Sequence, residues 1–208
     1  MGLRQLPACH MLWILLVAVW PVAEATGADS TANGVFLVAA RDLRDPNFRE
    51  AVVLVTHPGN GGPFGVIINR PLNRRLGEIL PEYAALKDRR DVVYFGGPVA
   101  REGLVFLVRS DQPPPRAMQV LNDVYFSNDP EWVDGMLKRA DPPRGLRVYS
   151  GYAGWTPGQL QSEISRGGWH VVPADADTIF AKDAAGIWPD LIKRATLRMT
   201  RAHAPAMR

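Results

Sequence analysis

The sequence predicts an α+β domain built on a largely antiparallel or mixed β-sheet with few helices. Nine short runs rich in β-branched and aromatic residues are separated by turn residues, which is the pattern typical of such a sheet. Two Asp-Pro pairs, Asp45-Pro46 and Asp129-Pro130, place a capping carboxylate before a proline at the first helical position. The chain has 208 residues, 47% of them hydrophobic, and this is enough for one domain with a substantial core.

The predicted strands extend along most of the chain. They are Val35 to Ala39, Ala51 to Thr56, Gly65 to Asn69, Val92 to Phe95, Leu104 to Val108, Ala117 to Leu121, Val124 to Phe126, Leu146 to Ser150 and Trp169 to Val172. The stretch Gln112 to Arg116 contains three consecutive prolines and is expected to form a stiff surface loop.

The predicted helices lie between these strands. One starts at Asp45-Pro46, a second carries an apolar stripe after Pro130, a third covers Leu76 to Leu80, and a last one covers Trp188 to Leu197. The stripe after Pro130 ends at Asp141-Pro142-Pro143, where the chain cannot continue as a helix.

Gly151 to Ile164 is the most informative stretch, because it has the signature of a helix start. Thr156 is the expected cap, with Pro157 at the first helical position and Gln159 reaching back to the Thr156 amide. Trp155 is expected to pack on Leu160 as a hydrophobic staple. The pair Gly167-Gly168 then offers a left-handed stop.

The N-terminus has the pattern of a secretory signal peptide over residues 1–25. Arg4 precedes an apolar run from Met11 to Trp20, and Ala23-Glu24-Ala25 is a small-x-small cleavage site, so cleavage is expected after Ala25. The run has about ten residues, too few to span ~30 Å of hydrocarbon. We therefore expect a periplasmic or secreted protein without a stable membrane anchor after cleavage, with a linker at 26–34, the domain at 35–197 and a basic tail at 198–208.

Cysteine and histidine content argues against a cofactor or a metal site. Cys9 is the only cysteine and would leave with the signal peptide, while His57, His170 and His203 are far apart in the sequence. The formal charge is +3, and five basic residues with no acidic one follow from Lys193 to the end. This end either binds an anionic polymer or lipid headgroups, or is simply solvated.

Three groups of residues stand where a predicted strand gives way to a loop. His57 opens a glycine-rich loop that lacks the Gly-Lys-Ser/Thr ending of a phosphate loop, so it is either a base or a structural histidine in a hairpin connection. Gly96-Gly97 either bares N–H groups to an anion or forms a tight turn. Asn69-Arg70 is the third group, in which Arg70 either clamps a carboxylate or pairs internally.

These groups define a candidate ligand or structural cluster rather than a catalytic site. The acidic partners expected for Arg70 are Asp45 and Glu163. We expect the whole set to lie at one end of the sheet: Asp45, His57, Asn69, Arg70, Gly96, Gly97 and Glu163. No residue is assigned a catalytic role, because neither a nucleophile elbow nor a His-Glu-x-x-His motif is present.

Several strings in one order resemble the YqgE/AlgH family, over residues from about Gly34 to Thr196. They are Asp45-Pro46-Asn47-Phe48-Arg49, the stretch Gly65 to Leu72, Phe95-Gly96-Gly97-Pro98-Val99, and the stretch Gly151 to Ile164. Relatives usually carry Ser-Val-Val where Glu50-Ala51-Val52-Val53 stands, and a histidine where Leu104 to Arg109 has none. They are also typically cytoplasmic, without an export signal.

The resemblance implies an α+β fold whose bent, mixed and mostly antiparallel sheet closes toward a pseudo-barrel with helices packed outside. It implies no agreed reaction. We therefore expect a non-catalytic binding or accessory module of the cell envelope, whose partner is a small anionic ligand or an envelope protein. The alternatives are a small hydrolase using His57 and a transcriptional regulator, as the AlgH name implies. Export disfavours the regulator, and no nucleic acid partner is expected.

Overall fold

The structure, a computed structural model, describes residues 34–58, 62–139, 143 and 145–202, with side chains described to residue 197. The predicted signal peptide and nearly all of the linker after it lie outside the described residues. The same holds for the middle of the glycine-rich loop and for the last six residues of the predicted basic tail.

In the described part of the chain, ten strands form one connected sheet, and all nine predicted strands are among them. The strands are β1 (Val35–Ala39), β2 (Val52–Thr56), β3 (Phe64–Ile67), β4 (Pro71–Arg75), β5 (Val92–Phe95), β6 (Val99–Arg109), β7 (Met118–Leu121), β8 (Val124–Ser127), β9 (Leu146–Gly154) and β10 (Trp169–Pro173). Their order is β10-β1-β2-β3-β9-β6-β8-β7, with β4 beside β5 and β5 beside β9. Only the pairing of β5 with β9 is parallel.

The sheet curls into a half-barrel, which confirms the predicted fold class. Gly34, just before β1, donates its N–H to the carbonyl of Val120 in β7 at 2.9 Å, so that the beginning of β1 meets the far end of the strand order. A side chain would not fit there, since a Cβ on Gly34 would lie 2.7 Å from the Val120 oxygen.

Five helices pack around the sheet in the described residues. They are α1 (Leu76–Ile79), α2 (Pro130–Leu137), α3 (Gln159–Ser165), α4 (Ala176–Phe180) and α5 (Ala184–Ala202). None of them is long and apolar enough to cross a membrane. The side chain of Asp129 accepts the N–H of Trp132 at 2.8 Å, which is the predicted cap of α2.

The alternation of residues along β1 shows how the sheet is covered on both faces. Phe36 and Val38 face a core that includes the buried side of α5, whereas Leu37 and Ala39 face a second core with Trp155 and Trp169. A third core joins α1 and α2 to the opposite side of the β6, β8 and β9 region. Burial on both faces explains why β2 is a continuous apolar run rather than an alternating one.

The predicted helix at Asp45-Pro46 is wrong. Residues 46–50 form a turn that ends at Glu50, whose φ of 55° lies in the left-handed region and cannot propagate a helix. Strand β4 and helix α4 were not predicted. The sequence Pro71–Arg75 is polar and pairs only irregularly with β5, so it carries no alternating apolar signal.

The predicted start of α3 is shifted. Strand β9 continues to Gly154, and α3 begins at Gln159 after a left-handed Gly158 with a φ of 81°. Half of the predicted capping box is present, because the Gln159 side chain accepts the Thr156 N–H at 3.1 Å. The predicted stop is confirmed: Gly167 has a φ of 80° and donates its N–H to the Ile164 carbonyl at 2.9 Å.

Candidate functional site

A tight turn over residues 45–50 forms one side of the candidate site. The carboxylate of Asp45 accepts the Asn47 N–H at 2.8 Å, and its carbonyl accepts the N–H groups of Phe48 and Arg49 at 3.0 and 2.8 Å. The Asp45-Pro46 pair therefore begins a single turn, which ends at Glu50. This placement leaves the side chain of Arg49 exposed.

The pair Asn69-Arg70, just after β3, holds this turn against the sheet. Asn69 accepts the Val52 N–H at 2.8 Å and donates to the Glu50 carbonyl at 2.9 Å. The Arg70 guanidinium donates to the carbonyls of Asn47 at 2.5 Å and Arg49 at 2.6 Å.

Arg70 is thus a brace, but with partners other than those predicted. In the described residues, its ion pair with Asp45 or with Glu163 does not form. Backbone carbonyls take the place of the carboxylates. These two hydrogen bonds use two of the five N–H groups of the guanidinium. Because both acceptors are neutral carbonyls, neither of them offsets the positive charge of Arg70.

An open groove of about 680 Å³ lies between this turn and the start of α5. It is lined by Pro46, Arg49, Glu50, Asn69, Arg70, Ala184, Ala185, Trp188 and Pro189. Trp188 is fixed in place, since its indole N–H donates to the Ala39 carbonyl at 2.9 Å. The guanidinium of Arg41 lies over the same indole, 5.5 Å from its centroid.

Positive charge exceeds negative charge along the groove, which is lined by Arg49 and Arg70 against the single carboxylate of Glu50. Burial lowers the pKa of Arg70, and the neighbouring charge of Arg49 lowers it further. The negative charges of Asp45 and Glu50 raise the pKa of Arg70, but their effects are smaller. Among the described residues, neither Arg49 nor Arg70 has an ion-pair partner.

The first turn of α5 forms part of the wall of the same groove. Ala184 and Ala185 belong to this turn and line the groove. Asp183 directly precedes the helix, and the first turn itself contains no acidic residue. The positive end of a helix favours an anion, so the helix end and the two guanidinium groups act in the same sense.

Glu163 lies outside the groove, in an aromatic cluster. One of its carboxylate oxygens accepts the indole N–H groups of Trp155 at 3.0 Å and Trp169 at 2.9 Å. The other accepts the Gln159 amide at 3.0 Å. Phe48 packs against both indoles, so the back of the 45–50 turn rests on this cluster while its front faces the groove.

Gly96 and Gly97 serve close backbone packing. Gly96 donates its N–H to the Ser150 carbonyl at 2.9 Å, so this donor is already used. A Cβ on Gly96 would lie 2.1 Å from the Gly151 oxygen, and one on Gly97 would lie 2.3 Å from the carbonyl carbon of Tyr152. Glycine is required here because two backbone segments touch.

His57 lies at the other end of β2. Val52, which is bonded to Asn69, begins this strand, and five residues at ~3.3 Å each place His57 about 16 Å away. The structure thus brings together Asp45, Asn69 and Arg70. Gly96 is near them, since the Phe95 N–H bonds the Arg70 carbonyl at 2.8 Å, but His57 does not join.

Arg49 and Trp188 belong to the groove and were not predicted as site residues. Arg49 stands in the same motif as Asp45, four residues on, and this spacing was the signal available in the sequence. Trp188 lies 139 positions later, and nothing local to it indicates the contact. Within the described residues, no three His, Cys, Asp or Glu side chains are grouped to hold a metal ion.

Comparisons with known proteins agree with this architecture. Two similar proteins are both described as UPF0301 proteins. The one from Thermobifida fusca is 36% identical over 171 residues, covering 78% of this chain and 86% of the relative. The one from Mycobacterium tuberculosis is 31% identical over 192 residues, covering 85% and 88%.

Two solved structures share the fold. The solution structure of the AlgH protein from Pseudomonas aeruginosa matches with a TM-score of 0.64 and 24% identity, covering 88% of this chain and 100% of that one. A crystal structure of a protein from Corynebacterium diphtheriae matches with a TM-score of 0.65 and 24% identity, covering 81% and 89%. The family described as DUF179, AlgH-like, matches residues 36–200. With nearly the whole described domain inside that match, the chain belongs to the AlgH-like DUF179 family.

Proposed function

We propose that this protein is a non-catalytic binding module of the cell envelope, and that it takes a small anionic ligand in the groove beside α5. One observation carries the proposal: two guanidinium groups without ion-pair partners among the described residues, Arg49 and Arg70, line the same groove of about 680 Å³. This volume lies in the usual range for small-molecule sites.

Binding of an anion would offset the repulsion between these two cations. Arg70 is fixed by its two carbonyl partners, so its charge is presented without a loss of side-chain freedom on binding. Arg49 is exposed and free to close over a ligand. Guanidinium groups and the end of α5 match the oxygen atoms of a phosphate or a carboxylate.

A catalytic role has less support. A hydrolase using His57 needs a carboxylate to orient the imidazole, and the two acidic members of the candidate cluster, Asp45 and Glu163, are engaged elsewhere. Asp45 accepts a backbone N–H in the turn, and Glu163 accepts two indole N–H groups. His57 itself is exposed at the far end of β2.

The envelope location is supported by the sequence alone, through Arg4, the Met11 to Trp20 run and Ala23-Glu24-Ala25. Intact-mass measurement on protein from its native host tests it. We expect a chain that starts at Thr26 in the envelope fraction. Full-length protein in a cytoplasmic fraction would exclude export, with no bearing on the groove.

The groove is tested by thermal unfolding with inorganic phosphate, at an ionic strength matched with sodium chloride. A ligand at 100 times its dissociation constant stabilises the folded protein by ~2.7 kcal/mol. We expect phosphate to raise the melting temperature of the wild type and to have a much smaller effect on Arg49→Ala. The matched control is Arg90→Ala, which also removes one exposed arginine but lies outside the groove.

The melting temperature without phosphate separates binding from bracing. Arg49→Ala should leave it nearly unchanged, because the described contacts of Arg49 to Arg70 use its carbonyl and not its side chain. Arg70→Ala should lower it, because two hydrogen bonds of a charged donor are lost. An equal phosphate response in the wild type, Arg49→Ala and Arg90→Ala would contradict the proposed site.

A further inference from the structure

The wall that α5 contributes to the groove is apolar. Four residues on one face of the helix form this wall: Ala184, Ala185, Trp188 and Pro189. Alanine and proline have no polar side-chain group, and the indole N–H of Trp188 is already donated to the Ala39 carbonyl. Among the described residues, all charged side chains that line the groove belong to the opposite wall, in the 45–50 turn or at Arg70. One wall therefore carries charge, and the other offers hydrocarbon.

The groove is also much larger than an inorganic anion needs. A water molecule takes ~30 Å³ of liquid volume, so the five heavy atoms of inorganic phosphate fill roughly 150 Å³ at most. In a groove of about 680 Å³, an anion that rests on Arg49 and Arg70 leaves most of the volume free. The free part faces the α5 wall, because that wall contributes none of the charged side chains.

Two residues that line the groove have backbone features that cost stability. Pro189 lies inside α5, and it has no N–H to donate to the carbonyl of Ala185 four positions earlier. Glu50 has a φ of 55°, in the left-handed region that glycine adopts more readily than any other residue. Both side chains are exposed, so their burial in the core does not offset these costs. Such departures from local preference are typical of functional sites, and here they stand on the two walls of one groove.

We propose that the ligand of the groove is an amphipathic organic anion. Its phosphate or carboxylate meets Arg49 and Arg70, and its apolar group lies on the α5 wall. This inference rests on the anion site proposed above and adds the class of ligand. The apolar group needs no polar partner on this wall, and contact between the two removes hydrocarbon of both from water. An inorganic anion gains nothing from the same wall.

Titrations with two phosphate monoesters at matched ionic strength test the proposal. Methyl phosphate and phenyl phosphate carry the same anionic group and differ in the size of the apolar group. Shifts of the backbone amide resonances of the full chain give the dissociation constant of each ester. We expect phenyl phosphate to bind about tenfold more tightly or better, from partial burial of its ring. We also expect nuclear Overhauser contacts between the ring protons and the methyl groups of Ala184 and Ala185.

Two substitutions in the α5 wall locate the apolar contact. Pro189→Gln replaces an exposed ring by a polar side chain and restores a helical N–H, so the fold should be retained. Ala185→Gln places a polar side chain at another exposed position of the wall. Each should reduce the preference for phenyl over methyl phosphate by about threefold or more, with the affinity for methyl phosphate nearly unchanged. The matched control is Pro81→Gln, which replaces an exposed proline outside the groove and should keep the full preference.

The outcomes separate this inference from the proposed anion site. Equal affinities of the wild type for the two esters would overturn the inference and leave the anion site intact. A preference for phenyl phosphate that all three variants keep would also overturn it, because the ring would then lie elsewhere. If the wild type binds neither ester nor inorganic phosphate, the proposed function fails and the inference fails with it. A thermal melt of each variant shows that the fold is retained, and should Pro189→Gln fail to fold, an unchanged preference in Ala185→Gln alone would contradict the inference.

Discussion

Glu163 holds the two indoles against which Phe48 of the 45–50 turn packs, and its replacement gives a sharp prediction. Glu163→Ala removes the acceptor for two indole N–H groups, those of Trp155 and Trp169. These side chains are only 7% and 4% exposed, so water reaches their nitrogen atoms poorly. Both N–H groups would be left in the folded protein without their present partner.

The expected cost follows from these two donors. A buried donor without an acceptor costs ~1–3 kcal/mol, which gives ~2–6 kcal/mol for the pair. Glu163 itself is half-buried, so water can replace part of the lost carboxylate, and we expect the lower half of that range. Glu163→Gln keeps one oxygen acceptor toward the indoles and should cost only ~1 kcal/mol.

Urea unfolding of the wild type and both variants measures these differences, with the slope of each transition checked for a common value. The expected order of stability is wild type, Glu163→Gln, Glu163→Ala. A free energy of unfolding for Glu163→Ala within ~0.5 kcal/mol of the wild type would show that the two indoles do not need this acceptor. So would an equal loss in both variants, since the acceptor would then be irrelevant.

Three further outcomes follow from the structure. Trp155→Ala should cost ~3–5 kcal/mol, but Thr156→Ala well under ~1 kcal/mol, because the threonine side chain does not cap α3; denaturant melts rank the two. Gly97→Ala should cost ~3 kcal/mol or more in the same melts, because its Cβ would lie 2.3 Å from a carbonyl carbon. The helix N–H that Asp129 accepts holds the pKa of its carboxyl below the ordinary value of 3.8. The stability contributed by ionised Asp129 is fully present above pH 3.8 and is lost as the pH falls through its lower pKa in the folded protein. Asp129→Asn should therefore make the free energy of unfolding less sensitive to acid.

Much of the sheet was predictable because strands such as β2 and β3 are buried on both faces. Runs such as Val52–Thr56 and Val92–Phe95 consist almost entirely of apolar and aromatic residues, and composition alone marks them as strands. Pro71–Arg75 has no such signal, because its residues are mostly exposed and its pairing with β5 is irregular. This segment is a strand because it pairs with the neighbouring strand β5.

The two Asp-Pro pairs show that the same local sequence pattern can begin a helix or only a single turn. Asp129 caps a helix as its sequence predicts, whereas Asp45 closes only a single turn. The difference is made by distant residues, since Asn69 and Arg70 bind the carbonyls that a longer helix at Asp45 would use.

Only part of the lining of the candidate site could be predicted from the sequence, for the same reason. Asn69 and Arg70 could be predicted because they directly follow a strand and Arg70 carries a positive charge that needs a partner. The groove that they line needs Trp188 and the first turn of α5 as its other wall. That contact is set by the packing of α5 on β1, which no motif in the sequence records. His57 was predicted to join them because it also follows a strand, but it lies at the opposite end of β2 from Asn69.

The central claim, that the groove beside α5 binds a small anion, is tested most directly by following backbone amide resonances during a titration with inorganic phosphate. At matched ionic strength, we expect saturable shifts of the amide resonances of Arg49, Glu50, Ala184 and Ala185, and unchanged resonances near His57. Arg49→Ala should lose these shifts, while Arg90→Ala keeps them. Saturable shifts confined to other parts of the chain, or none at all up to high phosphate concentration, would contradict the claim.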